Sequence, residues 1–344
     1  MPTPFGVGWR WMDMEPIGRL PGEVPTPDHA YLDTEATGLA GGTGTQIFAA
    51  AVCVPTPAGL RVVQLFTPEP AAEPALLYLL SQELEGVQAV ATYNGGSFDL
   101  PLLRTRWIMA RMAGEFQHPP HVDLLPMTRA LFRQRLDCCT LHTVEERLLG
   151  LEREVDLPGH LVPQAYFEYL RRGWSPLLEP ALAHNRQDVR SLLYLHARLL
   201  RRSQGQDADM AGADWLALGR HLVRRGRRAD GWRALRNAVR VADGPAAGLA
   251  AILLARGLTR RRRYEAAERL LAEAQRIAPD QAPVAIARAK LLEWRLGEID
   301  LAQRIVAEEL RALPAESGHR YDLERRLARL TMRQRGRRRT AVPA

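Results

Sequence analysis

Residues 30–39 read Ala-Tyr-Leu-Asp-Thr-Glu-Ala-Thr-Gly-Leu, an apolar start followed by two acids and a glycine. The apolar start predicts a buried strand, in which side chains two positions apart lie on the same face. Asp33 and Glu35 are therefore expected to present their carboxylates together. Two adjacent carboxylates repel each other, and a divalent cation between them removes that repulsion. A solvent-facing acidic pair at a strand end is the alternative interpretation.

The segments that follow predict a mixed sheet covered by helices. Apolar runs at 45–54 and 60–66, joined by a Pro/Gly turn, predict two more strands, and a further strand is predicted at 87–93. Leucine spacing predicts a helix over 74–85. More helices are predicted at 99–112, 124–134, 140–149, 163–171 and 177–201. This order of elements predicts an α/β domain with a mixed central sheet flanked by helices.

Two later segments add acids in comparable positions. The segment Tyr-Asn-Gly-Gly-Ser-Phe-Asp-Leu-Pro at 93–101 places Asp99 at the start of a helix, where an aspartate can simply cap the helix. His184 and Asp188 are four residues apart in a predicted helix and share one face. A surface contact between these two side chains is the alternative. Together, the acidic segments indicate one joint site.

These motifs resemble those of the ribonuclease H-like, DnaQ-type 3′–5′ exonuclease superfamily over about residues 29–202. The likeness lies in Asp-x-Glu-x-Thr-Gly on a first strand, Asn-x-x-x-Phe-Asp at a strand-to-helix junction and a base-x-x-x-Asp on a late helix. Within the superfamily, the Gly-Gly-Thr-Gly loop at 41–44 and His-Val-Asp-Leu-Leu at 121–125 resemble the YprB-type bacterial proteins. That subfamily also carries a tetratricopeptide-like C-terminal part.

The resemblance implies a nuclease with four acidic ligands for two Mg²⁺ or Mn²⁺ ions. In such enzymes two hard cations about 3.5–4 Å apart clamp the scissile phosphate, and oxygen ligands suit both ions. The ligands implied are Asp33, Glu35, Asp99 and Asp188. We also expect substrate contacts at residues that flank these acids, namely Thr37, Gly38, Leu39, Asn94 and Phe98. Asn94 has a second possible role, which is to fasten the turn in which it lies.

His184 is the candidate general base, since histidine titrates near neutral pH and can accept the proton of an attacking water. In the superfamily a histidine usually stands five residues before the last aspartate and a tyrosine four before it, whereas His184 precedes Asp188 by four. That one-residue change rotates a helical side chain by roughly 100°. Phosphate binding and orientation of water are therefore alternative roles for His184. Asp123 has two possible roles, a helix cap or an outer-sphere metal contact.

The C-terminal part is predicted to be an all-α domain of tetratricopeptide-like repeats. The patterns Gly-x-Arg-x-x-Gly at 226, Arg-x-Tyr-x-x-Ala at 262 and Gly-x-Ile-x-x-Ala at 297 recur at offsets of 36 and 35 residues, close to the tetratricopeptide unit of about 34. The tryptophans at 215, 232 and 294 are expected to pack between helices, and the arginines at 260–263 to be solvated or to bind phosphate. The predicted boundaries are 1–28 for an N-terminal extension, 29–202 for the nuclease-like domain, 203–213 for a linker, 214–332 for the repeats and 333–344 for a disordered basic tail.

Charge is distributed unevenly along the 344 residues. The 47 basic and 39 acidic side chains give a net charge of +8, which divides into −4 up to residue 205 and +12 after it. Every basic residue except Lys290 is arginine, whose guanidinium suits phosphate, so we expect a nucleic-acid partner, DNA or RNA. A generic basic surface is the alternative. The repeats offer a surface for a protein partner.

Composition also predicts the compartment. The three cysteines cannot form a disulfide framework, and the sequence has no apolar run of signal-peptide or membrane-spanning length. We therefore expect a cytoplasmic protein that is neither exported nor inserted in a membrane.

Three functional hypotheses follow. The first is a two-metal nuclease acting on DNA or RNA, specifically a 3′–5′ exonuclease. A structure-specific endonuclease is the second, because an open cleft permits internal cuts. The third is a catalytically weak or inactive nuclease-like domain that serves with the repeats as a scaffold. Retention of all four carboxylates argues against this third hypothesis.

Overall fold

The computed structural model describes residues 1–16, 28–38, 42–112, 119–153, 157–241, 244–277 and 282–340. The chain divides into two compact units, Met1–Gln204 and Gly205–Ala344. The division falls inside the stretch that the sequence predicts to be a linker. Each unit has its own clusters of buried apolar side chains.

The first unit is built on a mixed sheet. Two short strands, β1 (Pro2–Thr3) and β2 (Gly6–Val7), pair separately with each other. In the described part of the chain the main sheet has six strands in the order β3-β6-β5-β4-β7-β8. Neighbours from β3 to β4 are antiparallel, whereas β7 runs parallel to both β4 and β8. These strands are β3 (Trp9–Glu15), β4 (His29–Ala36), β5 (Ile47–Thr56), β6 (Gly59–Phe66), β7 (Ala89–Thr92) and β8 (His121–Asp123).

Helices cover both faces of this sheet, which explains why β5 is a nearly continuous apolar run. On one face, Ile47 packs in a cluster with leucines of α1 (Glu73–Glu83) and α2 (Asp99–Met109). On the other face, the ring of Phe48 stacks on Tyr166 with centroids 4.3 Å apart. The helices that complete the unit are α3 (Leu124–Phe132), α4 (Leu141–Val144), which continues as a π-helical turn (Glu145–Leu149), α5 (Val162–Arg172) and α6 (Leu178–Gln204).

The predicted N-terminal extension is wrong at Trp9–Glu15, because these residues form the edge strand β3. Most of its side chains are exposed, so the alternation that marks a half-buried strand is absent. Backbone pairing with β6 and an ion pair hold β3 in place. Arg190 of α6 donates to Glu15, with an Nε to Oε2 distance of 2.7 Å.

The second unit consists of helices in its described part. Successive helices pack on each other, and alternate ones also meet, α7 with α9 and α9 with α11. A Cβ atom on Gly219 would lie 3.1 Å from the carbonyl oxygen of Gly231, so glycine permits the close approach of α7 and α8. The helices are α7 (Gly212–Arg224), α8 (Arg228–Val241), α9 (Pro245–Arg260), α10 (Tyr264–Ile277), α11 (Ala282–Leu291) with its π-helical turn (Leu292–Leu296), α12 (Ile299–Ala312) and α13 (Arg320–Thr340).

The predicted disordered tail is wrong for residues 333–340, because α13 continues to Thr340. Arginine and glutamine are good helix formers, so the basic run can extend the helix. Residues 341–344 lie outside the described ranges. No helix in those ranges combines the length and apolar character needed to cross a lipid bilayer.

Candidate active site

The acidic pair lies on β4, between β5 and β7 in the sheet. Asp33 lies opposite Ala51 and Glu35 opposite Ala49, so the paired strand offers only small side chains beside them. Both acids are half-buried rather than fully exposed at a strand end. Burial raises the pKa of both carboxyls well above its ordinary value, and repulsion from Asp188 raises each further.

Asp99 is the first residue of α2, and its carboxylate contacts β4. Phe98 occupies the N-cap, and no capping bond from a side chain is found there within the described residues. The Asp99 carboxylate instead accepts a hydrogen bond from Thr34 Oγ1 on β4 at 2.5 Å. Burial raises the pKa of Asp99, while the Thr34 bond acts in the opposite direction. Asp99 is thus tied to the strand that carries Asp33 and Glu35.

Helix α6 is fastened to β4 by Asn185, a fully buried side chain. Its Nδ2 donates to the Asp33 carboxylate at 2.8 Å and to the Asp33 carbonyl at 3.2 Å. Gln64 on β6 donates to Asn185 Oδ1 at 2.9 Å and so fixes the orientation of the amide. On the same helix, His184 Nε2 lies 3.4 Å from Asp188 Oδ2. Asn185 therefore sets the position of α6 and of the two candidate residues beside it.

Arg153 brings a guanidinium into the acidic site, and its side chain is only 4% exposed. It donates from Nη2 to Asp188 Oδ1 at 2.6 Å and from Nε to Glu145 Oε2 at 2.5 Å. Its Nη1 makes a further hydrogen bond to His184 Nε2. Glu145 is completely buried and also accepts from Ser191 Oγ at 2.5 Å.

The four predicted ligands act on one another electrostatically but do not converge on one point. Repulsion from Asp188, Glu35 and Asp99 contributes to the raised pKa of Asp33. Within the described ranges, no group of three or more His, Cys, Asp and Glu side chains is arranged to hold a metal ion. Protein donors occupy oxygens of three of the acids, as the contacts of Thr34, Asn185 and Arg153 show. The donor set still fits a hard divalent cation chemically, since it offers carboxylate oxygens and an excess of negative charge.

The residues expected to contact substrate have structural contacts of their own. The Thr37 amide donates to the Gln46 carbonyl and its Oγ1 accepts from the Gln46 amide, both at 2.9 Å. Gly38 follows Thr37 and is the last described residue before a gap, and Leu39 lies outside the described residues. Phe98 packs against the apolar core of the sheet.

Asn94 and Asp123 close the turn that follows β7. Asn94 has a φ of 65°, a left-handed conformation that asparagine tolerates. The backbone amide of Asn94 donates to Asp123 Oδ1 at 2.9 Å, so this turn is tied to β8 by its backbone. Asp123 also accepts from the Leu125 amide at 3.0 Å, which confirms Asp123 as the cap of α3.

Comparison with known proteins identifies the first unit. Residues 30–200 match the family model of the RNase_H superfamily. The first unit is a ribonuclease H-like domain. The chain is also 37% identical over 169 residues to "Uncharacterized protein YprB" of Bacillus subtilis (strain 168), a match that covers 48% of this chain and 41% of that relative. The chain therefore matches less than half of the length of this curated relative.

Among solved structures, the chain is similar to the family B DNA polymerase from the hyperthermophilic archaeon Pyrobaculum calidifontis. The two share 16% sequence identity with a TM-score of 0.39, over 88% of this chain and 45% of the polymerase chain.

Sequence reasoning missed two residues of the ribonuclease H-like domain's site. Asn185 stands directly after His184 in the sequence, and this position next to a candidate base was its signal. In the structure its fully buried amide requires hydrogen-bond partners. Arg153 had no comparable signal, because it lies outside the acidic motifs and reaches α6 only through the fold.

Proposed function

We propose that the ribonuclease H-like domain is a divalent-metal-dependent nuclease that hydrolyses phosphodiester bonds of DNA or RNA. One observation carries the proposal: the half-buried Asp33 and Glu35 are repelled by Asp188 and Asp99, and this repulsion adds to the loss of solvation that raises the pKa of both. Such an arrangement is costly for the fold unless a cation is bound to it. Nothing in the apolar packing of β4 requires carboxylates at these positions.

The metal would be held by Asp33, Glu35, Asp99 and Asp188. When bound, Mg²⁺ or Mn²⁺ supplies charge stabilisation at the scissile phosphate and lowers the pKa of a bound water. Asn185 donates to one oxygen of Asp33, and Thr34 donates to one oxygen of Asp99. These contacts orient the acids before any ion binds, which reduces the cost of ordering them.

Arg153 and His184 form the proton-handling side of the proposed site. Nε2 of His184 accepts from Arg153, and Nδ1 is buried with no hydrogen-bond partner among the described residues. His184 can therefore accept a proton from water at Nε2 only after Arg153 has released that nitrogen. We assign Arg153 as a positioning residue that holds Asp188 and His184 until substrate or metal takes its place. The alternatives for His184, phosphate binding or water orientation, need the same release.

The finer assignment is a 3′–5′ exonuclease, which the motif resemblance supports. A structure-specific endonuclease is distinguished by comparing a closed circular substrate with the linear form, because an exonuclease needs an end. The scaffold hypothesis is favoured by one observation, the guanidinium of Arg153 on Asp188. It predicts that the chain binds no Mn²⁺ in calorimetry, whereas the nuclease proposal predicts Mn²⁺ binding.

The test is hydrolysis of 3′- and 5′-end-labelled DNA and RNA, single- and double-stranded, with Mg²⁺ or Mn²⁺. We expect Asp33→Asn to lower the rate at least about a hundredfold, because a metal ligand provides several kcal/mol of transition-state stabilisation. The same substitution should raise the melting temperature of the metal-free protein, since it removes a repelled charge and keeps an acceptor for Asn185. Asp13→Asn, on the exposed strand β3, is the matched control. Absence of hydrolysis of every substrate by the wild type would refute the proposal.

A further inference from the structure

The second unit contains a groove that the proposed nuclease chemistry does not use. Its volume is about 1150 Å³, larger than the 300–1,000 Å³ typical of small-molecule sites. The walls come mainly from α9 and α11, with contributions from α7, α10, α13 and the turn after α11. The groove therefore has room for a segment of another chain.

The rim of the groove is strongly basic. Five cations line it, with one carboxylate, Asp322, and one histidine, His319. The cations are Arg220, Arg256, Arg260, Lys290 and Arg295. Arg256 and Arg260 are one turn apart on α9, so two like charges share a helix face, an arrangement that disfavours the helix.

These five cations have no carboxylate partner among the described residues, whereas several arginines elsewhere in the same unit do. Among the described residues, none of the five makes an ion pair or a hydrogen bond to an acid. Outside the groove, Arg288 pairs with Glu268, Arg276 with Glu273, and Arg227 and Arg233 with Asp230. The groove thus brings together five cations without a carboxylate partner among the described residues, and these can bind an anionic partner.

The floor of the groove is aliphatic and determines which anion fits. Leu253, Ile252, Ile286 and Ala287 line it, and Leu249 is 44% exposed. Single-stranded nucleic acids bind through aromatic side chains on which successive bases stack. This groove offers a single aromatic lining residue among the described ones, the exposed Trp294, and Arg333 lies 4.8 Å from its ring. Aliphatic walls instead suit leucine-like side chains of a peptide.

We propose that this groove binds an acidic, amphipathic peptide segment of a partner protein. Carboxylates of the peptide pair with the cations of the rim, and its apolar side chains lie on the aliphatic floor. The sequence predicts that Trp294 packs between helices. The structure differs, because this side chain is 59% exposed and lines the groove. The inference concerns the second unit alone and does not depend on nuclease activity.

The test is fluorescence anisotropy with the full chain and a labelled synthetic peptide in which Glu and Leu follow a helical repeat. We expect the wild type to bind this peptide, and to bind at least about tenfold more weakly when Glu is replaced by Gln or Leu by Ser. Arg256→Glu with Arg260→Glu should weaken binding of the original peptide by a similar factor. The matched control is Arg233→Glu with Arg276→Glu, which makes the same change in charge outside the groove and should alter affinity by less than about twofold. Circular dichroism verifies that all variants keep their helix content.

Each other outcome overturns the proposal. Failure of the wild type to bind the Glu/Leu peptide excludes this ligand class. Equal loss in the two double variants attributes binding to net charge alone. If a labelled poly-dT oligonucleotide displaces the peptide and binds more tightly, with the same dependence on Arg256 and Arg260, then the groove is a nucleic-acid site instead.

Discussion

At the scale of single residues, Arg153 is the feature that most changes the description of the site. It joins Glu145, which is buried without any exposure, to Asp188 and His184. A buried ion pair contributes little net stability relative to apolar packing, but removal of one partner leaves the other charge buried and unpaired. Glu145 thus anchors the guanidinium, and the guanidinium orients the acidic site.

The Glu145–Arg153 pair gives a prediction for stability. We expect Arg153→Met and Glu145→Gln each to lower the free energy of unfolding by about 3 kcal/mol, and the double variant to lower it by less than the sum. Urea denaturation of the four proteins measures the coupling. The surface pair Glu273–Arg276 is the control and should show a coupling under about 1 kcal/mol. Additive effects of Glu145→Gln and Arg153→Met would show that the pair does not act as a unit.

At the scale of elements, α6 is held against β4 by polar contacts as well as by apolar packing. Besides Asn185, His196 contributes, since its Nδ1 lies 2.9 Å from the hydroxyl oxygen of Tyr31 on β4. Burial, together with the neighbouring His29, lowers the pKa of His196 to about 4. The histidine is therefore neutral in the folded protein at neutral pH.

This contact predicts that His196 by itself lowers the stability of the first unit in mild acid, opposite in sign to the effect of the raised pKa values of Asp33 and Glu35. Below about pH 6.5 the unfolded chain binds a proton at His196 that the folded chain does not bind until about pH 4. The contribution is thus fully present above pH 6.5 and is lost as the pH falls to 4, a change of about 3 kcal/mol. Hydrogen exchange of the β4 amides across this range measures it. His196→Asn should flatten the dependence, whereas His160→Asn, at an exposed position, should leave it unchanged.

Three elements show why the sequence predicts some of the fold but not all. The sequence predicts strand β5 because a short, continuous run of apolar residues is typical of a buried strand. Strand β3 was missed because its side chains are mostly exposed and its pairing with β6 is made by the backbone. Helix α13 continues into the predicted disordered tail because arginine and glutamine favour helix, and because Arg333 at the start of this tail donates to the buried Glu293, a tertiary contact that no local pattern signals.

At the scale of the whole molecule, the two compact units predict two separable activities. Residues 1–204 contain the complete candidate site and their own core. We expect a fragment of these residues to melt cooperatively and to retain Mn²⁺-dependent hydrolysis within about tenfold of the full chain. The same fragment should not bind the Glu/Leu peptide, because every residue of the groove lies in the second unit. A fragment that folds but hydrolyses nothing that the full chain hydrolyses would contradict this separation.

The sequence by itself determined the fold class, the division into two parts of opposite charge and the acids on which the proposed chemistry depends. These features follow from periodicity, composition and short spacings, which are local properties of the chain. Only the tertiary structure decided that Arg153 lies on Asp188, that Asn185 orients Asp33, and that unpaired cations converge on an aliphatic groove. Each of these depends on contacts between residues distant in sequence, because side-chain partners are chosen by packing and electrostatics in three dimensions.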